Sequence, residues 1–281
     1  MGCVTPLLTM TLKHPDYQCP ICQTSLTLKD KVFCCGNNHS FDLAKEGYVN
    51  LLPVQLKQSK QPGDNKAMVN ARRAFLEKGY YQPLVSKLAS MLAQYKKDQG
   101  NILDAGCGEG YYTHQLAQTK ANIYGVDIAK EAIKKAAKKY KDNHFCVATL
   151  SHLPFADQTF NALVSVYAPI LEAEFTRVLT FDGILITVTP AKNHLHALKE
   201  KIYINAQQHD ENKSPIAHLT LLHQEQLSYE MELSSGDDIL NLLSMTPFAF
   251  KASEQVKKEL AQLEQFNCQA DFMIRTYQKS R

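Results

Sequence analysis

From Ile102 onward, short apolar runs alternate with stretches whose apolar residues recur every three or four positions, the pattern of strands that feed helices. The run 102–105 leads into a helical pattern over 111–119. The run 122–127 leads into 130–140, where Ile133, Ala136, Ala137 and Tyr140 mark the buried stripe. Strands are expected over 144–149 and 162–168, a helix over 172–179, and a turn and strand over 181–190. A further helix is expected to begin near Lys192, and 206–218 is polar and loop-like, a candidate cover. The segment 224–233, helices near 236–245 and 254–266 and a strand over 271–277 complete the sheet. Ahead of Ile102, Met68, Ala71 and Phe75 predict a helix over 67–78 that Gly79 ends, and Leu84, Leu88, Met91 and Leu92 carry a second one as far as Lys97. Such alternation predicts a parallel sheet whose strands deliver their C-terminal ends to one edge. Gly108, Asp127, Thr149 and Tyr167 are expected to converge there.

The first of these strands runs without a break into Asp104-Ala-Gly-Cys-Gly-Glu-Gly110. Gly106, Gly108 and Gly110 alternate as G-x-G-x-G, one residue tighter than the G-x-G-x-x-G turn that holds a pyrophosphate at a helix N-terminus. Acids at Asp104 and Glu109 flank the place where an anion would lie. That combination suits a cationic cofactor without phosphate, S-adenosylmethionine. Asp127 ends the next strand, where an acid can accept the two ribose hydroxyls of the adenosine or cap the following helix. The loop 150–157 is placed to run along the adenine ring.

Composition changes this picture little. The chain has 281 residues, 44% hydrophobic and 21% charged, with no apolar run of membrane-spanning length and no signal-peptide pattern at Met1. Its net charge of +3 is unevenly placed: residues 1–80 hold 10 Lys+Arg against 6 Asp+Glu, and the remainder holds 21 against 22. A polyanion-facing surface is therefore expected at the N-terminal end. The lysines 134, 135, 138, 139 and 141 line one face of the 130–140 helix and read first as a solvated face.

Three of the eight cysteines sit in a pattern that suits a metal. Cys19-Pro-Ile-Cys22 is followed, after twelve residues, by Cys35-Gly-Asn-Asn-His39. Three thiolates and an imidazole make a closed tetrahedral set with no open position, the structural zinc arrangement. Cys34 adjoins Cys35 and is an alternative ligand, but the spacing of Cys35 to His39 fits a knuckle better. Zinc and the lack of a secretory pattern point to a reducing cytosol. Arg72 and Arg73 are candidates for phosphate contact, Tyr81 for a residue covering the cofactor, and His194 for a residue at the same sheet edge.

Together these residues resemble one family closely, the zinc-ribbon methyltransferases that modify N1 of a guanine in large-subunit (23S) ribosomal RNA. The similarity rests on Cys19-Pro-Ile-Cys22, Cys35 to His39, Ser40-Phe-Asp-Leu-Ala-Lys-Glu-Gly-Tyr-Val-Asn-Leu-Leu-Pro-Val54, Pro62-Gly-Asp64 and Ala71-Arg-Arg-Ala-Phe-Leu76. It continues through Leu103 to Thr113, Val166-Tyr-Ala-Pro169, Thr189-Pro190 with His194, and Met245-Thr-Pro-Phe-Ala249. The first sixteen residues have no counterpart, and Ile170 stands where some members carry Cys.

The resemblance implies a class I S-adenosylmethionine-dependent methyltransferase fold, Rossmann-like, with a seven-stranded, mostly parallel sheet that ends in a reversed hairpin. A zinc-ribbon RNA-recognition module would occupy 1–55, a linker and helix 56–80, and the methyltransferase domain 81–281. It implies cofactor contacts at Tyr81, Gly108, Glu109 and His194, to which the residue pattern adds Asp104, Gly106 and Asp127. It also implies a homodimer whose zinc modules help form a cleft for an RNA hairpin. Tyr167 with the Ala168-Pro169 backbone is the candidate wall that holds the target base, and no residue stands out as the proton acceptor. The competing readings are a methyltransferase for a small metabolite, against which the basic N-terminal region speaks, and a non-catalytic RNA-binding protein, which the intact Asp104, Gly106, Gly108 and Asp127 disfavour.

Overall fold

The computed structural model describes residues 17–57, 63–95, 97, 99–117, 120–209 and 216–280. A small antiparallel sheet comes first, built from β1 (Thr27–Lys29), β2 (Val32–Cys34) and β3 (Ser40–Asp42) in that order. The chain then adds β4 (Tyr48–Asn50) to a second, larger sheet before α1 (Lys66–Glu77) and α2 (Gln82–Gln94). The alternating body follows: β5 (Gln99–Ala105), α3 (Tyr111–Leu116), β6 (Lys120–Asp127), α4 (Lys130–Lys139), β7 (His144–Val147), β8 (Phe160–Val166), α5 (Glu172–Val178) and β9 (Leu179–Pro190). It closes with α6 (His196–Ile202), β10 (Leu219–Leu233), α7 (Gly236–Ser244), α8 (Glu254–Ala261) and β11 (Phe266–Lys279).

The large sheet has the order β10-β11-β9-β8-β5-β6-β7-β4, parallel from β9 to β4, with β11 antiparallel to both of its neighbours. The expected reversed hairpin is thus β10–β11. The strand count differs: eight instead of seven, because Tyr48, Val49 and Asn50 pair in parallel with Phe145, Cys146 and Val147. Tyr48 and Val49 are buried, so this short run gains more from an open sheet edge than from the small sheet.

The two sheets share one core. Tyr17, Cys19, Leu26, Phe33 and Cys35 cluster with Leu103, Tyr124 and Phe160 of the large sheet and with Phe155 of the loop between β7 and β8. Tyr17 makes an edge contact with Phe33 at 5.5 Å and lies 5.4 Å from Phe155. On the other face, α1, α2, α3 and α7 bury Phe75, Leu84, Leu88, Met91, Leu92 and Leu242 against β5, β8, β9 and β11. The apolar stripe of α2 is the one its periodicity predicts. No helix among the described residues is long and apolar enough to cross a membrane.

The helix expected near Lys192 starts later. Residues 192–195 form a turn because Asp271 Oδ2 accepts the Asn193 N–H at 2.9 Å and Leu195 adopts φ +54°. Several strands and helices run one to five residues beyond or short of the expected bounds, as frayed ends do. Of the candidate cover, 210–215 lies outside the described residues. So do 58–62 of the expected linker, including Pro62.

Candidate active site and metal centre

The zinc ligands come from two tight turns, one ahead of β1 and one between β2 and β3. In the first, Gln23 N–H donates to Cys19 O at 2.8 Å; in the second, Asn38 N–H donates to Cys35 O at 3.1 Å. Gln23 and Asn38 take φ values of +60° and +62°, which lets the chain curl around a point. Cys19, Cys22, Cys35 and His39 offer four ligand atoms, all within 4.8 Å of one another. Cys22 Sγ lies 3.7 Å from Cys35 Sγ, and His39 Nδ1 is 3.4 Å from Cys35 Sγ and 3.5 Å from Cys19 Sγ. A tetrahedron with Zn–S bonds of about 2.3 Å has edges of about 3.8 Å, so the donor set fits one zinc ion. The Thr24 hydroxyl beside Cys22 pulls its thiol down to about 5, toward the thiolate that a metal needs. Cys34 points elsewhere, within β2, and is not part of the cluster.

The glycine loop leaves the end of β5 and turns into α3. A side chain at Gly106 would place its Cβ 2.4 Å from Ala168 Cβ, and one at Gly110 would come within 2.9 Å of Ala136 Cβ. At Gly108 the nearest atom is Arg72 Nη1, at 3.8 Å. The outer glycines are therefore required by packing, and the middle one presents bare backbone to open space, where a ligand can approach. Gly108 N–H donates to Asp127 Oδ2 at 2.9 Å and Ala129 N–H to Oδ1 at 2.7 Å, which fixes the Asp127 carboxylate at the end of β6. Both readings of Asp127 are compatible with this placement, since each oxygen keeps a second lone pair. Leu150 approaches Gly106 from the loop after β7.

Three carboxyl groups of this edge have raised pKa values, each chiefly through burial. Asp104 is pushed up to about 7, Glu109 to about 7, and Asp127 upward. Asp104 lies under the loop and accepts the Thr113 hydroxyl at 2.6 Å, so it holds α3 against β5. Glu109 is buried, and neither of its carboxyl oxygens has a hydrogen-bond partner within the protein. A buried carboxyl left unpaired is costly, and a cationic ligand would relieve it. The residues thus fit S-adenosylmethionine, with its sulfonium and amino group, better than a pyrophosphate.

His194 sits at the same edge, in the turn after β9. Its Nδ1 accepts the Asp271 N–H at 3.1 Å, and its Nε2 lies 3.0 Å from Tyr167 Oη and 3.5 Å from Tyr81 Oη. Burial lowers its pKa to about 3. Tyr81 is buried at the start of α2, in edge contact with Phe75 and Phe272. It is buried, and so does not form the exposed cover expected of it. Tyr167 follows β8 with φ +59° and is 45% exposed, and Ala168 and Pro169 continue the wall beside Gly106.

Arg72 and Arg73 part ways. Arg72 pairs with Asp64, donates to Met245 O at 3.3 Å and stands over Gly108, so it belongs to the cofactor edge. Arg73 Nε donates to Glu77 Oε1 at 2.9 Å on the side of α1 that meets α4, where Lys139 joins the same carboxylate. Two contributors escaped the sequence analysis. Asp64 belongs to the Pro62-Gly-Asp64 motif, but its pairing with Arg72 is not legible there; the neighbouring Gly63 is packed against Ala129. Asp271 was seen only as the start of a strand, and nothing local in the sequence ties it to a histidine 77 residues earlier.

Residues 17–60 match the family model described as "RlmA, N-terminal", a zinc ribbon, and residues 96–244 match one described as a methyltransferase domain. The chain is 29% identical over 278 residues to "Putative 23S rRNA (guanine-N(1)-)-methyltransferase YxjB" of Bacillus subtilis, spanning 94% of this chain and 97% of that one. It is 33% identical over 214 residues to the Micromonospora griseorubida protein named "Putative 23S rRNA (guanine-N(1)-)-methyltransferase", spanning 67% and 72%. It is 29% identical over 257 residues to the 23S rRNA (guanine(748)-N(1))-methyltransferase of Streptomyces fradiae, spanning 88% and 90%.

Proposed function

We propose that this chain, which belongs to the 23S rRNA (guanine-N(1)-)-methyltransferase family, transfers a methyl group from S-adenosylmethionine to N1 of an unpaired guanine in a hairpin loop of large-subunit ribosomal RNA. The observation that carries this reading is the fusion of a closed zinc knuckle and an S-adenosylmethionine-type glycine loop around one core. In a small-molecule enzyme the first would be a mere scaffold, against which the basic bias of residues 1–80 speaks, and a passive RNA binder has no use for the second.

The cofactor supplies a methyl group on a sulfonium, and the protein's task is to hold it and to bring the base in line. Gly108 offers bare backbone, Glu109 a buried carboxyl for a positive group, and Asp127 a fixed carboxylate for the ribose. Asp104 and Gly106 shape the loop from below, and Tyr81 and His194 close its inner side. Tyr167 and the Ala168-Pro169 backbone form the wall against which the base rests. The target must be unpaired, because N1 is occupied in a Watson–Crick pair.

RNA phosphates are taken by the basic N-terminal module and by Arg73 of α1, whereas Arg72 serves the cofactor edge. The protein works in the cytoplasm as a homodimer. The outer edge of β10, which ends the large sheet with Leu221 and Leu222 exposed, supports the second part. Methyl transfer to a purified transcript of the hairpin, with the product mapped by mass spectrometry, tests the reading. Label at guanine N1 is expected. Label on any other atom, or none, overturns it.

A further inference from the structure

Tyr167 is held in an unusual way. An aromatic residue at φ +59° is strained, and strain of this kind persists only where the surroundings enforce it. Here the Tyr167 N–H donates to Val188 O at 3.0 Å, and Ala168 is pressed against Gly106. The result turns the phenol toward His194 while leaving the residue 45% exposed at the sheet edge.

The direction of the bond between the two side chains follows from a third group. The Asp271 backbone N–H can only donate, and it points at His194 Nδ1. Nδ1 therefore carries a lone pair, the ring is neutral, and its one hydrogen is on Nε2. Nε2–H donates to Tyr167 Oη at 3.0 Å, with Tyr81 Oη farther off at 3.5 Å. With that donor fixed on one side of the oxygen, the hydrogen of the phenol itself is turned away from the His194 ring. The arrangement offers a substrate a hydrogen-bond donor and cannot reverse its polarity without breaking the Asp271 contact.

We infer that Tyr167 reads the target base by donating its hydroxyl hydrogen to a ring carbonyl, O6 of guanine, and so selects a carbonyl base over the amino-bearing edges of adenine and cytosine. This rests on the reading of the chain as a guanine-N1 methyltransferase. The same bond assists the reaction. N1 gives up its proton to water, and the electron pair left behind is shared between N1 and O6. That pair then forms the N1–carbon bond as the sulfur–carbon bond breaks and its electrons return to sulfur, leaving a neutral thioether. Tyr167 stabilises the negative charge that O6 carries while the proton is gone. His194 orients the hydroxyl and is a positioning residue, since its Nδ1 is already engaged and its Nε2 already protonated.

The test compares RNA hairpins that carry guanine, inosine or 2-aminopurine at the methylated position, bound without S-adenosylmethionine. Inosine keeps O6 and loses the 2-amino group; 2-aminopurine keeps the amino group and loses O6 with the N1 hydrogen, and the comparison with Tyr167→Phe separates the two losses. The wild-type protein is expected to bind guanine and inosine alike and 2-aminopurine about 5- to 10-fold more weakly, the scale of one hydrogen bond. Tyr167→Phe should reduce that preference at least about 3-fold and lower kcat on the guanine hairpin about 10- to 100-fold. Wild-type binding indifferent to O6, or a Phe variant that keeps the full preference, overturns the inference. A wild-type protein that methylates guanine N1 but shows no O6 preference refutes the role of Tyr167 alone; one that methylates no RNA refutes the underlying reading.

Discussion

The Thr113 hydroxyl donates to Asp104 Oδ2 at 2.6 Å, with both side chains buried beneath the glycine loop. The bond ties the first turn of α3 to the end of β5 and so sets the shape of the cofactor edge. Its pH behaviour is unusual, because burial pushes the Asp104 carboxyl from its ordinary 3.8 up to about 7. Between those values the native protein holds a proton that the unfolded chain has lost, so stability falls as pH rises from about 4 to about 7 and is level above that. Urea unfolding at pH 5 and pH 8 should show a smaller difference for Asp104→Asn than for the wild type, by about 1–3 kcal/mol. An equal difference in both proteins would show that Asp104 does not titrate in this window.

Glu109 presents the opposite balance between stability and binding. Its carboxyl is buried without a partner on either oxygen, and burial raises its pKa to about 7. Glu109→Gln should therefore stabilise the ligand-free protein at pH 8, by about 1 kcal/mol, because a neutral amide is less costly to bury than a charged carboxylate. The same change should weaken S-adenosylmethionine at least 10-fold, on the order of one charge-assisted contact. Thermal melts and calorimetric titration measure the two effects, and unchanged cofactor affinity would remove Glu109 from the site.

Loss of the metal should travel into the large sheet. Cys22→Ser removes one of four zinc ligands, and the module that the metal holds packs Tyr17 and Phe33 against the same core as Phe155. Zinc should be absent from the purified variant by elemental analysis. Amide exchange should quicken at 48–50 and at the partner strand 144–147, while β5, β8 and β9 keep their protection. Unaltered exchange at 48–50 would mean that β4 is held independently of zinc.

Arg72 and Arg73 should separate in binding experiments despite being neighbours. Arg72→Ala breaks the pair with Asp64 beside Gly108 and is expected to weaken S-adenosylmethionine several-fold. Arg73→Ala should change cofactor affinity less than Arg72→Ala does, and should lower the slope of log K against log salt for RNA by about one, as the loss of one phosphate contact does. Equal effects of the two substitutions on the cofactor would contradict this division.

The amino-acid order alone was enough for the zinc ligands, for the glycine loop and for the succession of strands and helices from β5 to β9. In each, the information is local. The ligands lie on two short turns, the loop is a run of seven residues, and the apolar periods of 2 and 3.6 report the face that each element buries. What the tertiary structure alone decided involves partners far apart in the chain. Tyr48–Asn50 left the ribbon for the edge of the large sheet, where β7 offered an unpaired partner. Arg72 reached the carbonyl of Met245, 173 residues further on. The Asp271 backbone N–H reached His194 Nδ1, and the Nε2 of the same ring came to lie beside Tyr167 Oη. No periodicity records such contacts, because each depends on where the packed sheet places two segments that the sequence keeps apart.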